Sequence, residues 1–308
     1  MSKKSSYLFG IVLTIIFGTL LYLWIGCCCY NSLTCNQKEP LKENVVVQPE
    51  IKHSLNPFTF KEGEYEINEN DNFNFKASGF KILQPLSDNV TNAVLKLKTY
   101  FDENPSKNFN ITGYYTSDEE NNSAYPNLGL ARANAVKNHV VSLGIPSKQI
   151  NTFGELKDGL IPDAESVYHG PIDYGALTLA GGDNSDAELE AIALEIKDKP
   201  LLLYFETGAA TLRLTPEQRI KVAKISRYLD KVDDSFCIIV GHTDNTGTPE
   251  NNMVLGQERA DFAKSYLVRN HIPENNISAT SKGQNSPIAD NNTDEGRAKN
   301  RRIVVTIK

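Results

Sequence analysis

The chain opens on one uninterrupted apolar run and then breaks into short periodic stretches separated by polar loops. Leu8 to Tyr30 carries no charged residue, and about 20 such residues suffice for a helix to cross a hydrocarbon core. Lys3 and Lys4 precede the run, while Tyr22, Trp24 and Tyr30 gather toward its far end. The pattern predicts a single transmembrane helix over 8–30, with 1–7 in the cytoplasm and the body of the chain outside it. The alternative is a lipoprotein signal ending at Cys27, with Gly26 before it. Residues 31–72 are polar with little periodicity and read as a spacer.

The clearest elements lie toward the C-terminus. Leu201 to Phe205 is a short apolar run and predicts a strand. Thr215, Pro216 and Gln218 supply an N-cap, a first-turn proline and a capping-box partner. Val222, Ile225, Leu229 and Val232 follow at steps of three and four, as on one face of a helix. Phe236 to Val240 predicts the next strand. The loop HTDNTGTPENN leads to a helix from about Met253 to Asn270, broken by His271-Ile272-Pro273. Ile277 to Ala279 and Ile303 to Ile307 complete the strands.

The same plan occurs earlier in the chain. Phe75 and Phe80 flank a first strand, and Leu86-Ser87-Asp88 starts a helix with Val90, Val94, Leu97 and Phe101 on one face. LGLARANAVKNHVVSLGIPSKQI parallels LGQERADFAKSYLVRNHIPENNI, so Arg132 corresponds to Arg259. The copies differ where charge is concerned. The first has Thr116 at the position of Asp244 and lacks an Asn-Arg-Arg before its last strand. Glycines and acidic residues fill the stretch after Glu155, with a short helix expected over Leu189 to Ile196.

Composition removes several classes of function. A net charge of -6 on 308 residues is a mild acidic excess, which argues against a nucleic-acid partner, since polyanion binding usually needs a basic face. Four of the five cysteines, Cys27, Cys28, Cys29 and Cys35, sit beside the apolar run, and Cys237 lies in SFCIIVG as a small hydrophobe. No zinc spacing, serine elbow or HExxH is present, so neither metal, cofactor nor enzymatic activity is expected. His242, Asp244 and His271 do not by themselves complete a metal site.

What remains is one polar cluster. Asp244 ends a strand, Arg259 sits on the next helix, and Asn300, Arg301 and Arg302 precede the last strand. Opposite charges held together suit a ligand bearing both an amine and a carboxylate. Asp244 also fits a turn-forming role before Gly247, and Arg297, Arg301 and Arg302 suit pinning of the last loop through backbone carbonyls.

Gly241-His242-Thr243-Asp244 with Gly247, Asn252, Leu255, Arg259-Ala260, Asn292, Thr293, Gly296-Arg297 and Asn300-Arg301-Arg302 resemble the C-terminal domain of the OmpA family. The module is similar to the periplasmic part of peptidoglycan-associated lipoproteins and of MotB-type stator proteins. The resemblance covers roughly 200–308, with a degenerate match over 73–155. It implies non-covalent binding of the peptidoglycan stem peptide. Asp244 would take the free amine of diaminopimelate and Arg259 its carboxylate, with Thr243, Asn252, Leu255, Arg301 and Arg302 around them. Two departures stand out: Gly256 replaces a usual serine, which is expected to weaken the helix cap, and Glu206 replaces a usual aspartate.

The reading is therefore α+β: two tandem OmpA-like α/β sandwiches, each with a β-α-β-α-β core, after a single N-terminal transmembrane helix. Residues 73–155 form a degenerate domain, 156–199 an interdomain segment and 200–308 the peptidoglycan-binding domain. The expected setting is the bacterial cell envelope, as a single-pass membrane protein with periplasmic domains. The alternative setting is an outer-membrane lipoprotein anchored at Cys27. Residues 73–155 are a candidate surface for an envelope protein partner. The rival function is a non-enzymatic scaffold in an envelope complex, with vestigial wall binding.

Overall fold

Residues 15–21 of the apolar run form helix α1 in the computed structural model, which describes residues 15–21, 53–178, 185–204 and 213–308. The seven described residues of α1 span about 10 Å, roughly a third of a hydrocarbon core. No helix among the described residues is long and apolar enough to cross a membrane. This corrects the expected transmembrane helix over 8–30, the membrane partner reached through it and the single-pass localisation. Residues 8–14 and 22–30, including Cys27, lie outside the described residues, as do Phe205 and Glu206. Met1–Glu50 is one compact unit and Ile51–Lys308 another, and the second carries all the elements below.

The first half of that unit begins with an antiparallel hairpin, β1 (Phe58–Glu62) and β2 (Tyr65–Glu69), in a stretch read from sequence as spacer. FTFKE and YEINE alternate apolar and polar residues around Gly63, whose φ of +59° suits a glycine turn. β3 (Asn74–Lys76) follows, then α2 (Asp88–Glu103), capped by Ser87 accepting from Val90 N. β4 (Lys107–Tyr115) leads to α3 (Leu128–Ser142), capped by Asn127, and then to β5 (Ile150–Leu156). β6 (Val167–His169) pairs with β3, and β7 (Ile172–Thr178) completes an open sheet in the order β5-β4-β7. β4 runs parallel to β5 and antiparallel to β7. This third strand comes from the stretch assigned to 156–199. Val90, Val94, Leu97 and Phe101 pack on Phe58, Phe60, Phe109 and Ile111, so the apolar stripe of α2 is buried as its spacing predicts.

The second half starts with α4 (Ser185–Asp198) and β8 (Leu201–Tyr204). α5 (Pro216–Lys231) has the capping box of Thr215 and Gln218. β9 (Cys237–His242), α6 (Pro249–Arg269), β10 (Ile277–Gly283), α7 (Asp294–Asn300) and β11 (Arg302–Ile307) follow. The open sheet has the order β10-β9-β11-β8, with β9 and β10 parallel and β11 antiparallel to both its neighbours. Val222, Ile225 and Leu229 of α5 pack with Ile239, Ile303 and Val305 of the sheet. α6 starts at Thr248-Pro249, earlier than the sequence predicts, because Thr248 caps Asn251 N and proline suits the first turn. Gly256 is consequently inside the helix and not at its cap.

Each half brings a strand and a helix into backbone contact through paired glycines. A Cβ on Gly241 would overlap the Gly256 carbonyl oxygen, and one on Gly113 would overlap that of Gly129. That shared contact fixes the register of the repeat: Gly113 matches Gly241, and Arg132 matches Arg259.

Candidate functional site

The end of β9 delivers Asp244 to a point where three other segments meet. Thr243 is buried, donates its N–H to the Gly283 carbonyl at 3.0 Å and its hydroxyl to the Asp244 carbonyl at 2.8 Å. It therefore fixes the turn from which Asp244 projects. Asp244 Oδ1 accepts the Thr246 N–H at 3.0 Å, and Oδ2 accepts Arg301 Nη1 at 2.8 Å. An ionised carboxylate has about four acceptor positions, so these two bonds leave room for a further cation. Burial opposes ionisation of Asp244, but the hydrogen bonds from Arg301 and Thr246 outweigh it, and the carboxyl titrates below its ordinary value.

Arg259 approaches from α6. Its Nη1 donates to the His242 carbonyl at 3.2 Å, the one hydrogen bond of its guanidinium among the described residues. Burial lowers its pKa, Asp244 raises it and Arg301 lowers it, with a net downward shift. Asn252 and Leu255 precede it by seven and four positions, a spacing that puts them along the same side of the helix. Asn252 is buried and donates to Gln284 Oε1 at 2.6 Å, while Leu255 is 38% exposed. Asp244, Arg259 and Arg301 thus form one electrostatic group, and Asn252 and Leu255 lie along the side of α6 that carries Arg259.

Arg302 goes elsewhere. It is buried and donates to the carbonyls of Asn300 at 3.4 Å and Ser286 at 3.1 Å. Arg297 likewise holds the Asn291 carbonyl at 2.7 Å. The expectation that one of these arginines pins the last loop describes both. Asn300 has the same task, accepting from Ile288 N and Ala289 N and donating to Ala289 O. His242 is buried beside Arg302 and Lys282. Burial first, then those two cations, pushes its pKa to about 4, so the ring is neutral at pH 7.

Two residues at these sites were not singled out from sequence. Gln284 partners Asn252 across 32 positions and has no local signature. Glu119 belongs to the first half, where Arg132 Nη1 donates to the Tyr114 carbonyl at 2.8 Å, as Arg259 does to the matching His242 carbonyl. Its carboxylate accepts Arg132 Nη2 at 2.5 Å and Nη1 at 3.0 Å. The signal available was a carboxylate at the repeat position of Gly247.

Comparison with known proteins matches the OmpA family over residues 59–165 and 204–301. Outer membrane protein A of Bordetella avium is 39% identical over 104 residues, 34% of this chain and 53% of that protein. Outer-membrane lipoprotein YfiB of Pseudomonas aeruginosa is 36% identical over 95 residues, covering 31% of this chain and 56% of that one. The peptidoglycan-associated lipoprotein of Buchnera aphidicola is 37% identical over 129 residues, covering 42% and 70% respectively. The chain thus spans about half the length of the first two relatives. Among solved structures, the peptidoglycan-associated lipoprotein of Burkholderia pseudomallei matches with a TM-score of 0.32 at 25% identity, over 36% of this chain and 92% of that one.

Proposed function

The chain belongs to the OmpA family, and from that premise we propose that its second half binds peptidoglycan non-covalently and tethers an envelope layer to the wall. More finely, the ligand is the diaminopimelate of the stem peptide, with its amine on Asp244 and its carboxylate on Arg259. One observation supports this reading above the others: Asp244 and Arg259 bring opposite charges together while each retains unused hydrogen-bonding capacity. A guanidinium takes a carboxylate through two parallel charge-assisted bonds. Each exposed ion pair contributes only about 0.2–1 kcal/mol, so repeated engagement along a polymer supplies the avidity.

The setting this reading requires is the bacterial cell envelope. A lipid on Cys27 is the anchor that the lipoprotein relatives favour. The second reading, a non-enzymatic scaffold in an envelope complex, is favoured by the first half. Thr116 replaces the aspartate there, and Glu119 already occupies Arg132. We assign the envelope-partner role, if the scaffold reading holds, to the surface of residues 73–155. The division into modules at 73–155 and 200–308 is likewise a proposal.

Co-sedimentation of the whole chain with isolated sacculi tests both levels. Wild type should pellet with diaminopimelate-type walls, and Asp244→Ala and Arg259→Ala should each weaken binding about tenfold or more, equivalent to about 1.4 kcal/mol. Unchanged binding by the double variant sinks wall binding through this site. Equal binding to lysine-type walls sinks the diaminopimelate assignment alone.

A further inference from the structure

We propose that Glu119 is a ligand built into the chain: it fills, on Arg132, a carboxylate-binding site that the first half retains. Removing the Glu119 side chain would open that site to a free small carboxylate. The inference rests on the Arg132 site itself and not on wall binding by the second half.

The arrangement is that of a bound ligand. Each Glu119 oxygen accepts one guanidinium N–H and one backbone N–H. Oε1 takes Arg132 Nη2 at 2.5 Å and Ser78 N at 2.9 Å. Oε2 takes Arg132 Nη1 at 3.0 Å and Thr116 N at 3.1 Å. The two side chains are 0% and 3% exposed for Arg132 and Glu119. Four donors from three separate segments converge on one carboxylate, which satisfies most of its acceptor positions.

Arg132 does not depend on Glu119 for its place. It also donates to the carbonyls of Tyr114 at 2.8 Å, Gly79 at 3.0 Å and Lys76 at 3.3 Å. Its guanidinium carbon lies 5.5 Å from the Phe75 ring centroid and 5.4 Å from that of Tyr168. These contacts hold a planar fork in position, so deletion of Glu119 leaves a preorganised cation and two backbone donors facing an empty slot.

The second half supplies the contrast. Arg259 is held by the same strand carbonyl, but the position of Glu119 is Gly247, which has no side chain to offer. One half carries its carboxylate in the chain, and the other leaves its arginine open. The slot also has a defined size. Glu119→Ala removes one methylene and the carboxylate, which together have the shape of acetate. Ser117, Asp118 and Glu120 around it are exposed or nearly so, and the buried carboxylate lies just beneath them.

The test is thermal melting of the whole chain in sodium acetate against sodium chloride at matched ionic strength. Glu119→Ala should melt well below wild type in chloride and regain several degrees as acetate rises, since a ligand that binds only the folded state stabilises it in proportion to occupancy. Wild type sets the baseline acetate shift, since any acetate bound at the open Arg259 is common to all variants, and Glu119→Ala should exceed it by several degrees. Glu119→Gln, which keeps the slot filled, should fold and stay at that baseline. The double variant Glu119→Ala/Arg132→Met should fall back to it. Recovery equal in the two salts, recovery that survives in the double variant, or failure of Glu119→Ala to fold in acetate while Glu119→Gln folds, would each overturn the proposal.

Discussion

Asp244 keeps its charge because Arg301 and the Thr246 N–H stabilise the ionised form more than burial opposes it. A group with a depressed folded pKa contributes stability above its unfolded pKa and loses it as pH falls through the folded value. Ligand binding that uses this carboxylate should therefore be flat from pH 7 down to the carboxylate range and fall only below it, measured by sedimentation across pH. Two histidines set a different window. Burial, with Arg302 and Lys282 nearby, pushes His242 to about 4. Burial, opposed by the Phe80 carbonyl and reinforced by Lys137 and Lys81, takes His271 to about 4 as well. Unfolded histidine titrates near 6.5, so between about 6.5 and 4 the unfolded chain holds more protons and stability falls as pH falls. The melting temperature should drop across that window. His271→Asn should flatten the drop, because asparagine tolerates the φ of +67° at that position and does not titrate.

The strand–helix contact in each half depends on an absent side chain. Gly241→Ala would force β9 and α6 apart, since its Cβ would overlap the Gly256 carbonyl. Gly175→Ala on β7 would meet nothing within 4 Å. Chemical denaturation should show the first destabilised by about 2 kcal/mol or more and the second within about 0.5 kcal/mol of wild type. Sequence pattern made the repeat, the apolar stripes, the helix start at Leu86-Ser87-Asp88 and the cap at Thr215 legible, because each is a local signal. It missed the start of α6, where Thr248-Pro249 sits inside a run of turn residues. It also missed β7, whose apolar Ile172, Tyr174 and Ala176 alternate with Asp173, Gly175 and exposed Leu177. The site was half legible. Asp244 and Arg259 stood out through opposite charge and the resemblance to the OmpA family, but Arg301 and Arg302 look equivalent in sequence. Arg301 ends α7 and turns to Asp244, whereas Arg302 is the first residue of β11 and serves the loop. Adjacent residues at such a junction diverge, and composition carries no trace of it.

The two halves of Ile51–Lys308 are joined by buried polar contacts as well as by chain. Ala124 of the first half lies in the hydrophobic core of the second, its N–H donating to Asn270 Oδ1 at 2.7 Å. The Tyr125 hydroxyl meets Ser226 Oγ at 3.0 Å, and Arg219 reaches back to the Ser123 carbonyl. Lys137 and Asp230 form a buried pair at 2.6 Å. Residues 200–308 alone should consequently melt below the intact unit in calorimetry. Lys137→Met, which leaves Asp230 without its partner, should cost about 3–5 kcal/mol. Equal melting of the excised half and the whole unit would show these contacts to be energetically idle.

The strand order of the second sheet also has a consequence in time. β8 and β9 leave the ribosome well before β11, yet β11 lies between them. On the nascent chain β9 can meet β10 early, while β8 must wait for Arg302–Ile307 before it gains a partner. The sheet of the first half is complete by Thr178. During synthesis, an already folded first half with Tyr125 in place stands ready as a template for a second half that closes last.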